Sequence, residues 1–134
     1  MQNKGRVVVA YLDGRRLKGY VNDFSPVRDH LFLFPEGTDP KPGERGIWVG
    51  FSEMKALFFV KDFARDPSHK DLAIGSPRPG KKVEVTFPDG EKIVGFTVAY
   101  NPKNPGFFMQ PVDEASNNER IFVVNRNVKQ VQVL

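Results

Sequence analysis

Short stretches of alternating apolar and polar residues run along the chain and predict strands. Val83, Val85 and Phe87 alternate with polar residues, which places the three side chains on one face of a strand. Residues 7–11 (Val-Val-Val-Ala-Tyr) have the β-branched, aromatic-ended composition of another strand. Further strands are predicted at 30–34, 46–51, 56–60, 107–110, 120–124 and 130–134. The pattern therefore predicts an all-β protein.

The same pattern occurs twice, which indicates an internal duplication. A shift of 76 residues superimposes the first hairpin on the second, so that Val7 falls on Val83 and Gly19 on Gly95. After a two-residue deletion the shift becomes 74, which places Ile47 on Ile121. The predicted organisation is a first unit at 1–60, a Pro-rich linker at 61–79 and a second unit at 80–134.

Each unit begins with a hairpin that leads into a bent strand. Asp13-Gly14 and Asp89-Gly90 suit a three-residue turn that ends on a left-handed glycine and forms a bulge. Gly19 and Gly95 lie inside the next strand, where a glycine often marks a sharp bend at the corner of a barrel. Five short, bent strands in about 55 residues describe a small barrel. We predict two tandem five-stranded SH3-like/Sm-like barrels related by internal duplication.

One motif of the repeat resembles a known superfamily. The spacing Asp-Gly-x-x-Leu-x-Gly at 13–19, repeated with Ile at 89–95, resembles the first motif of the Sm-like superfamily. The resemblance implies an Sm-like barrel in each unit. As an alternative function it implies RNA or single-stranded nucleic-acid binding, in which several chains could form a ring. Ser25 and Asn101 stand where the Sm pattern has an aspartate, and the second Sm motif is absent at 50–54.

The whole chain also resembles an uncharacterised bacterial family. The resemblance is carried by the segments 11–20, 57–63, 105–109 and 116–120. It implies the tandem-barrel architecture and brings no activity with it.

A PilZ-like sensor of cyclic dinucleotides is a second alternative. Asp23-Phe-Ser25 resembles part of the PilZ signature Asp/Asn-x-Ser-x-x-Gly, but Arg28 occupies the glycine position. Arg15 and Arg16 are adjacent, whereas the PilZ signature has Arg-x-x-x-Arg.

Composition argues against an enzyme. The 134 residues contain no Cys and only two His, which removes disulfides, thiolate chemistry and Cys-based metal sites. No nucleophile elbow, Walker loop or Rossmann loop is present. Asp62, Asp66, His69 and Asp71 lack the spacing of metal ligands and are interpreted as part of a solvated linker. We expect no catalytic residue, no cofactor and no metal.

Charge and apolar content point to a cytoplasmic protein that does not enter a membrane. The N-terminus lacks the apolar segment of a signal peptide, and no apolar run approaches the length of a membrane span. The net charge is +4 and is spread evenly along the chain. This weak basicity permits an anionic partner without requiring one.

The leading hypothesis is a non-enzymatic binding or regulatory module. It would contact an unknown protein partner or small-molecule ligand through its loops or through the cleft between the barrels. Nucleic acid is a less favoured partner, and a homo-oligomer is left open. The candidate binding residues are polar or basic and lie on the first hairpin or the loops and turns of the second unit: Arg15, Arg16, Lys18, Asn101, Lys103, Asn104, Asn117, Asn118, Arg120, Arg126 and Lys129.

Overall fold

The structure is a computed structural model that describes residues 5–37, 41, 43–61, 79–112 and 117–134. Most of the predicted linker, 62–78, therefore lies outside the described residues.

The predicted all-β class is confirmed. The described part of the chain contains no helix with the length and apolarity that a membrane span requires. The elements are β1 (Gly5–Tyr11), β2 (Arg16–Val21), β3 (His30–Pro35), β4 (Ile47–Gly50), η1 (Phe51–Glu53), β5 (Met54–Val60), β6 (Lys81–Thr86), β7 (Lys92–Thr97), β8 (Gly106–Pro111), β9 (Asn118–Val124), η2 (Asn125–Asn127) and β10 (Gln130–Val133), where η denotes a 3₁₀ helix.

All ten strands belong to one antiparallel sheet with the order β10-β6-β7-β8-β9-β5-β1-β2-β3-β4. The first half contributes β5-β1-β2-β3-β4, and the second half contributes β10-β6-β7-β8-β9, which is the same order. The halves meet where β5 pairs with β9, with Leu57 opposite Phe122. The hydrogen-bond ladder thus joins both halves in a single sheet, whereas the sequence predicts two barrels.

Two hydrophobic cores lie on opposite faces of the central strands. Because successive side chains of a strand point to opposite faces, Val7 and Val9 enter the first core while Val8 and Ala10 enter the second. The same division holds in β5, where Leu57 faces the first core and Phe58 the second. The central strands are buried on both faces, which explains why their sequences are continuously apolar.

The two hairpins have the predicted bulged turn. In the first, the Gly14 N–H donates to the Tyr11 carbonyl (3.1 Å) and the Tyr11 N–H donates to the Arg15 carbonyl (2.9 Å). Gly14 and Gly90 have φ values of 93° and 91°, in the left-handed region that favours glycine. The predicted turn geometry is therefore confirmed in both halves.

Candidate functional site

A groove of about 560 Å³ lies between η1 of the first half and η2 of the second, and we call it the inter-half groove. The first half lines it with Asp29, Trp48, Gly50, Phe51 and Ser52. The second half lines it with Tyr100, Pro102, Lys103, Asn104, Pro105, Asn125, Arg126, Val128, Lys129, Gln130 and Val131.

Two asparagines of η2 hold the walls of this groove together. The Nδ2 atom of Asn127 donates to the carbonyls of Phe51 (3.0 Å), Ser52 (3.2 Å) and Met54 (2.7 Å). This contact fixes η2 against the end of the first half. The Nδ2 atom of Asn125 donates to the carbonyls of Asn101 and Asn104, both at 2.9 Å. These two hydrogen bonds hold the loop at 100–105 against η2, and the loop and η2 together form the wall that the second half contributes.

The groove carries more positive than negative charge. Lys103, Arg126 and Lys129 line it, and Asp29 is the single carboxylate among the described residues of its lining. Within the described part of the chain, none of the three cations forms an ion pair. Asp29 already accepts a hydrogen bond from His30 Nδ1 at 2.8 Å, and this bond lowers the pKa of the Asp29 carboxyl. The cations are therefore available to an anionic group.

Two exposed aromatic rings stand at the same groove. Trp48 is 56% exposed, and its ring stacks on His30 with 5.9 Å between centroids and 21° between planes. Tyr100 is 40% exposed and meets Phe107 edge-on at 4.9 Å. Aromatic rings that are fixed by a neighbour and partly open to solvent can stack on a planar ligand.

Four of the predicted binding residues meet at this groove: Lys103, Asn104, Arg126 and Lys129. Asn101 lies in the same loop as Lys103 and Asn104 but is not among the residues that line the groove, and its side chain is used within the loop. The Oδ1 atom of Asn101 accepts a hydrogen bond from the Lys103 N–H at 3.0 Å. The predicted binding residues that line the inter-half groove therefore all belong to the second half.

The predicted basic residues of the first hairpin do not line the groove. Arg15 binds its neighbour Asp13, with 2.7 Å between Nε and Oδ2, and its guanidinium lies 4.5 Å from the centroid of the Tyr11 ring. Hydrogen bonds from the Arg15 backbone and side chain lower the pKa of Asp13. Arg16 lies 5.8 Å from the centroid of the Phe58 ring. Lys18 is exposed on β2, next to these residues.

The remaining predicted residues lie near the start of β9. Asn117 and Asn118 are buried, and the Asn117 carbonyl accepts a hydrogen bond from the Lys61 N–H at 2.9 Å. The guanidinium of Arg120 lies 4.3 Å from the centroid of the Phe59 ring and 4.6 Å from that of Phe108. The structure therefore places these three residues outside the groove.

Sequence reasoning did not single out Trp48, Tyr100, Asn125 and Asn127. Trp48 had a usable signal, because it is the only tryptophan and it follows directly on an exposed strand start at Ile47. The two asparagines had none, since their role depends on contacts with residues 21 to 76 positions away in sequence.

Metal ligands were not expected, and the described residues contain no group of three acidic or histidine side chains arranged to hold an ion. The acidic and histidine residues of the linker, Asp62, Asp66, His69 and Asp71, lie outside the described residues.

A family model described as a family of unknown function (DUF6982) matches residues 3–134, nearly the whole chain. The chain therefore belongs to this family. No curated protein and no solved structure matches it.

Proposed function

We propose that this member of the DUF6982 family is a non-enzymatic binding module whose inter-half groove takes a small anionic ligand with a planar ring. The observation that carries the proposal is that one groove holds two exposed aromatic rings and three cations that form no ion pair with any described residue. Charged groups would bind the anion, and the rings would stack on its planar part.

The size of the groove suits a small molecule. Ligand sites are typically clefts of about 300–1,000 Å³ with a few placed polar groups. The inter-half groove, at about 560 Å³, falls within that range. Arg126 suits a phosphate or carboxylate, since its guanidinium can donate two parallel hydrogen bonds.

For the architecture, we interpret each half as a small SH3-like or Sm-like barrel. Support comes from the shared strand order of the halves and from the bulged hairpin that each half repeats. On this interpretation the groove is the cleft between two repeated barrels. Divergent loops on a repeated scaffold are places where binding can specialise, and the loop at 100–105 is one of them.

Single-stranded nucleic acid is the second candidate ligand. The groove combines cations with exposed rings, which is the combination used to bind single strands without sequence preference. Such binding would weaken steeply as salt concentration rises, because phosphate contacts release counterions. A mononucleotide bound by one or two contacts would show a shallower dependence.

The test is a titration that follows Trp48 fluorescence and is repeated by calorimetry. The panel contains a nucleoside triphosphate, a cyclic dinucleotide and a short single-stranded oligonucleotide, each at low and high salt. We expect binding by the natural chain and a loss of about tenfold or more in affinity for Arg126→Gln and for Lys103→Gln.

Lys92→Gln is the matched control, since Lys92 is an exposed cation of β7 outside the groove. Equal losses in the groove variants and in this control would contradict the proposal, as would the absence of binding across the whole panel. A steep salt dependence seen only with the oligonucleotide would select the nucleic-acid alternative.

A further inference from the structure

The first half carries a smaller cavity that shares no described residue with the inter-half groove. It measures about 290 Å³, and we call it the β3 pocket. Its described lining consists of Asn22, Asp23, Phe32, Phe34 and Arg45. Small-molecule sites typically measure about 300–1,000 Å³, so this pocket suits a ligand of the size of a single amino acid.

Two aromatic rings of β3 supply the apolar surface of the β3 pocket. Phe32 and Phe34 are two residues apart on one strand, so both side chains stand on the same face of the sheet. The opposite face carries Leu31 and Leu33, which are buried in the first core. Both rings are half-buried and line the pocket, so a part of each is open to a ligand. Such rings pack well against another aromatic group.

Two side chains of opposite charge flank these rings. Asp23 follows the end of β2, and Arg45 precedes the start of β4. Because β2 and β4 pair with the two sides of β3, the carboxylate and the guanidinium reach the pocket from opposite sides of the rings. A ligand that contacts both groups therefore carries a cation and an anion of its own, with an apolar body between the two walls.

The two charges do not neutralise each other. Arg28 Nη1 donates to Asp23 Oδ2 (3.2 Å) and to the Asp23 carbonyl (3.0 Å), which holds the carboxylate in place. A carboxylate has about four lone-pair sites, so Asp23 keeps capacity for a further donor. Arg45 is exposed, and within the described part of the chain it forms no ion pair. The pocket therefore offers one anionic and one cationic group to a ligand.

The second half does not repeat this arrangement. Four of the five lining residues are replaced by residues of different character at the corresponding positions of the repeat. The replacements are Val98 for Asn22, Ala99 for Asp23, Gln110 for Phe34 and Glu119 for Arg45. The Asp-Gly turn and the strand glycine, in contrast, are the same in both halves. A set of residues confined to one copy of a repeated scaffold is where binding can specialise.

We propose that the β3 pocket binds a free α-amino acid with an aromatic side chain. The Asp23 carboxylate accepts hydrogen bonds from the ammonium group, and the Arg45 guanidinium donates two parallel hydrogen bonds to the carboxylate. The ligand ring packs against Phe32 and Phe34. A free amino acid fits better than the end of a peptide, because only the free molecule carries both charged groups on one carbon atom.

A panel of four ligands tests which chemical groups the pocket recognises. L-phenylalanine has the ammonium, the carboxylate and the ring. Phenylalanine amide lacks the carboxylate, N-acetylphenylalanine lacks the ammonium, and L-alanine lacks the ring. Calorimetry on the full chain measures the affinities, and NMR shifts of the backbone amides at 22–23 and 32–34 locate the site. We expect a dissociation constant of about 1 mM or lower for L-phenylalanine and binding about tenfold weaker or worse for the other three ligands.

Two single substitutions separate the two charged contacts. Arg45→Gln should lose the preference for L-phenylalanine over its amide and keep the preference over the N-acetyl form. Asp23→Asn should show the converse. Both side chains are exposed, so neither change disturbs a core. Lys92→Gln and Glu36→Gln are matched controls at exposed positions outside the pocket and should bind L-phenylalanine as the natural chain does.

Three outcomes would overturn the proposal. The first is the absence of saturable binding of L-phenylalanine at millimolar concentration, and the second is equal affinity for any of the three analogues. The third is that both preferences persist in Arg45→Gln and in Asp23→Asn. The nucleotide titrations of the inter-half groove are a separate test, because the two sites share no described residue and either result stands without the other.

Discussion

Lys55 is a buried cation held by two carboxylates of the other half of the molecule. Its Nζ atom lies 2.7 Å from Asp89 Oδ2, 2.5 Å from Glu91 Oε1 and 5.0 Å from the centroid of the Phe87 ring. Burial by itself lowers the pKa of Lys55, but the hydrogen bonds to Asp89 and Glu91 outweigh it, and the pKa is raised. The hydrogen bond from Lys55 in turn lowers the pKa of Asp89.

The lowered pKa of Asp89 sets the direction of a pH effect. A carboxyl whose pKa is lower in the folded state stabilises the fold above its unfolded pKa, and this contribution is lost as the pH falls through the folded pKa. The raised pKa of Lys55 acts at the alkaline end, where its contribution is lost only as the pH rises through the folded value.

Replacement of Lys55 by Met should therefore cost stability at neutral pH and less in acid. We expect the free energy of unfolding to fall by about 1–2 kcal/mol at neutral pH. This is less than for a fully buried ion pair, because Asp89 is half exposed and solvent screens its charge. Denaturant unfolding at neutral pH and at about pH 2, which is well below the usual pKa of a carboxyl, measures both values. Lys92→Met is the control on an exposed strand position. An equal loss at the two pH values would show that the carboxylates are not involved.

At the scale of single elements, Gly19 and Gly95 are required by the close crossing of neighbouring strands. A Cβ atom at Gly95 would lie 2.4 Å from the Gln110 carbonyl oxygen and 2.6 Å from Met109 Cε. At Gly19 it would lie 2.4 Å from the Phe34 carbonyl oxygen. In both halves the neighbouring strand therefore leaves no room for a side chain at this position, which is a steric reason for glycine.

Gly95→Ala should destabilise the protein by about 1–3 kcal/mol, because the Gln110 backbone carbonyl obstructs the added methyl group and cannot move aside as the Met109 side chain can. Gly19→Ala should cost a similar amount, since its nearest atom is also a carbonyl oxygen at the same distance. Lys92→Ala on β7 is the matched control, for which we expect a change within about 0.5 kcal/mol. Thermal unfolding of the three variants measures the differences, and an unchanged Gly95→Ala would refute the steric explanation.

Local sequence patterns are sufficient to predict the strands and the two hairpin turns. Alternation and turn residues act over a few positions, so strands at 30–34, 56–60 and 107–110 were found within about two residues of their observed bounds. The pairing of β5 with β9 is not local, and no turn residue encodes it. The one hint was that Phe58 and its neighbours are apolar on both faces of the strand, which a half-exposed barrel strand does not need.

Of the residues that line the inter-half groove, the sequence predicts only some of those contributed by the second half. Lys103, Arg126 and Lys129 were found because polar loops and basic residues are visible in a sequence. Trp48 joins them through the contact between η1 and η2, which depends on the hydrogen bonds of Asn127 across the two halves. Such a contact follows from the packing of the whole molecule.

At the scale of the whole molecule, each hydrophobic core is built by both halves. Phe122 and Val124 of the second half are buried in the first core, and Val8 and Phe58 of the first half are buried in the second. Phe122 also meets Phe24 edge-on, with 5.0 Å between ring centroids. Removal of either half would expose the apolar face that the other half covers.

The two halves should therefore unfold together, and a cavity in one core should weaken both. We expect Phe122→Ala to cost about 3–5 kcal/mol, the usual loss for a fully buried phenylalanine. Trp48 fluorescence reports on the first half and far-UV circular dichroism on the whole sheet. Both signals should give one coincident transition in the natural chain and should move together in the variant, because coincident probes are the mark of two-state unfolding. Val98→Ala, at an exposed position, is the control. Two separate transitions, or a Trp48 midpoint that stays in place while the dichroism midpoint falls, would mean that the halves are independent units.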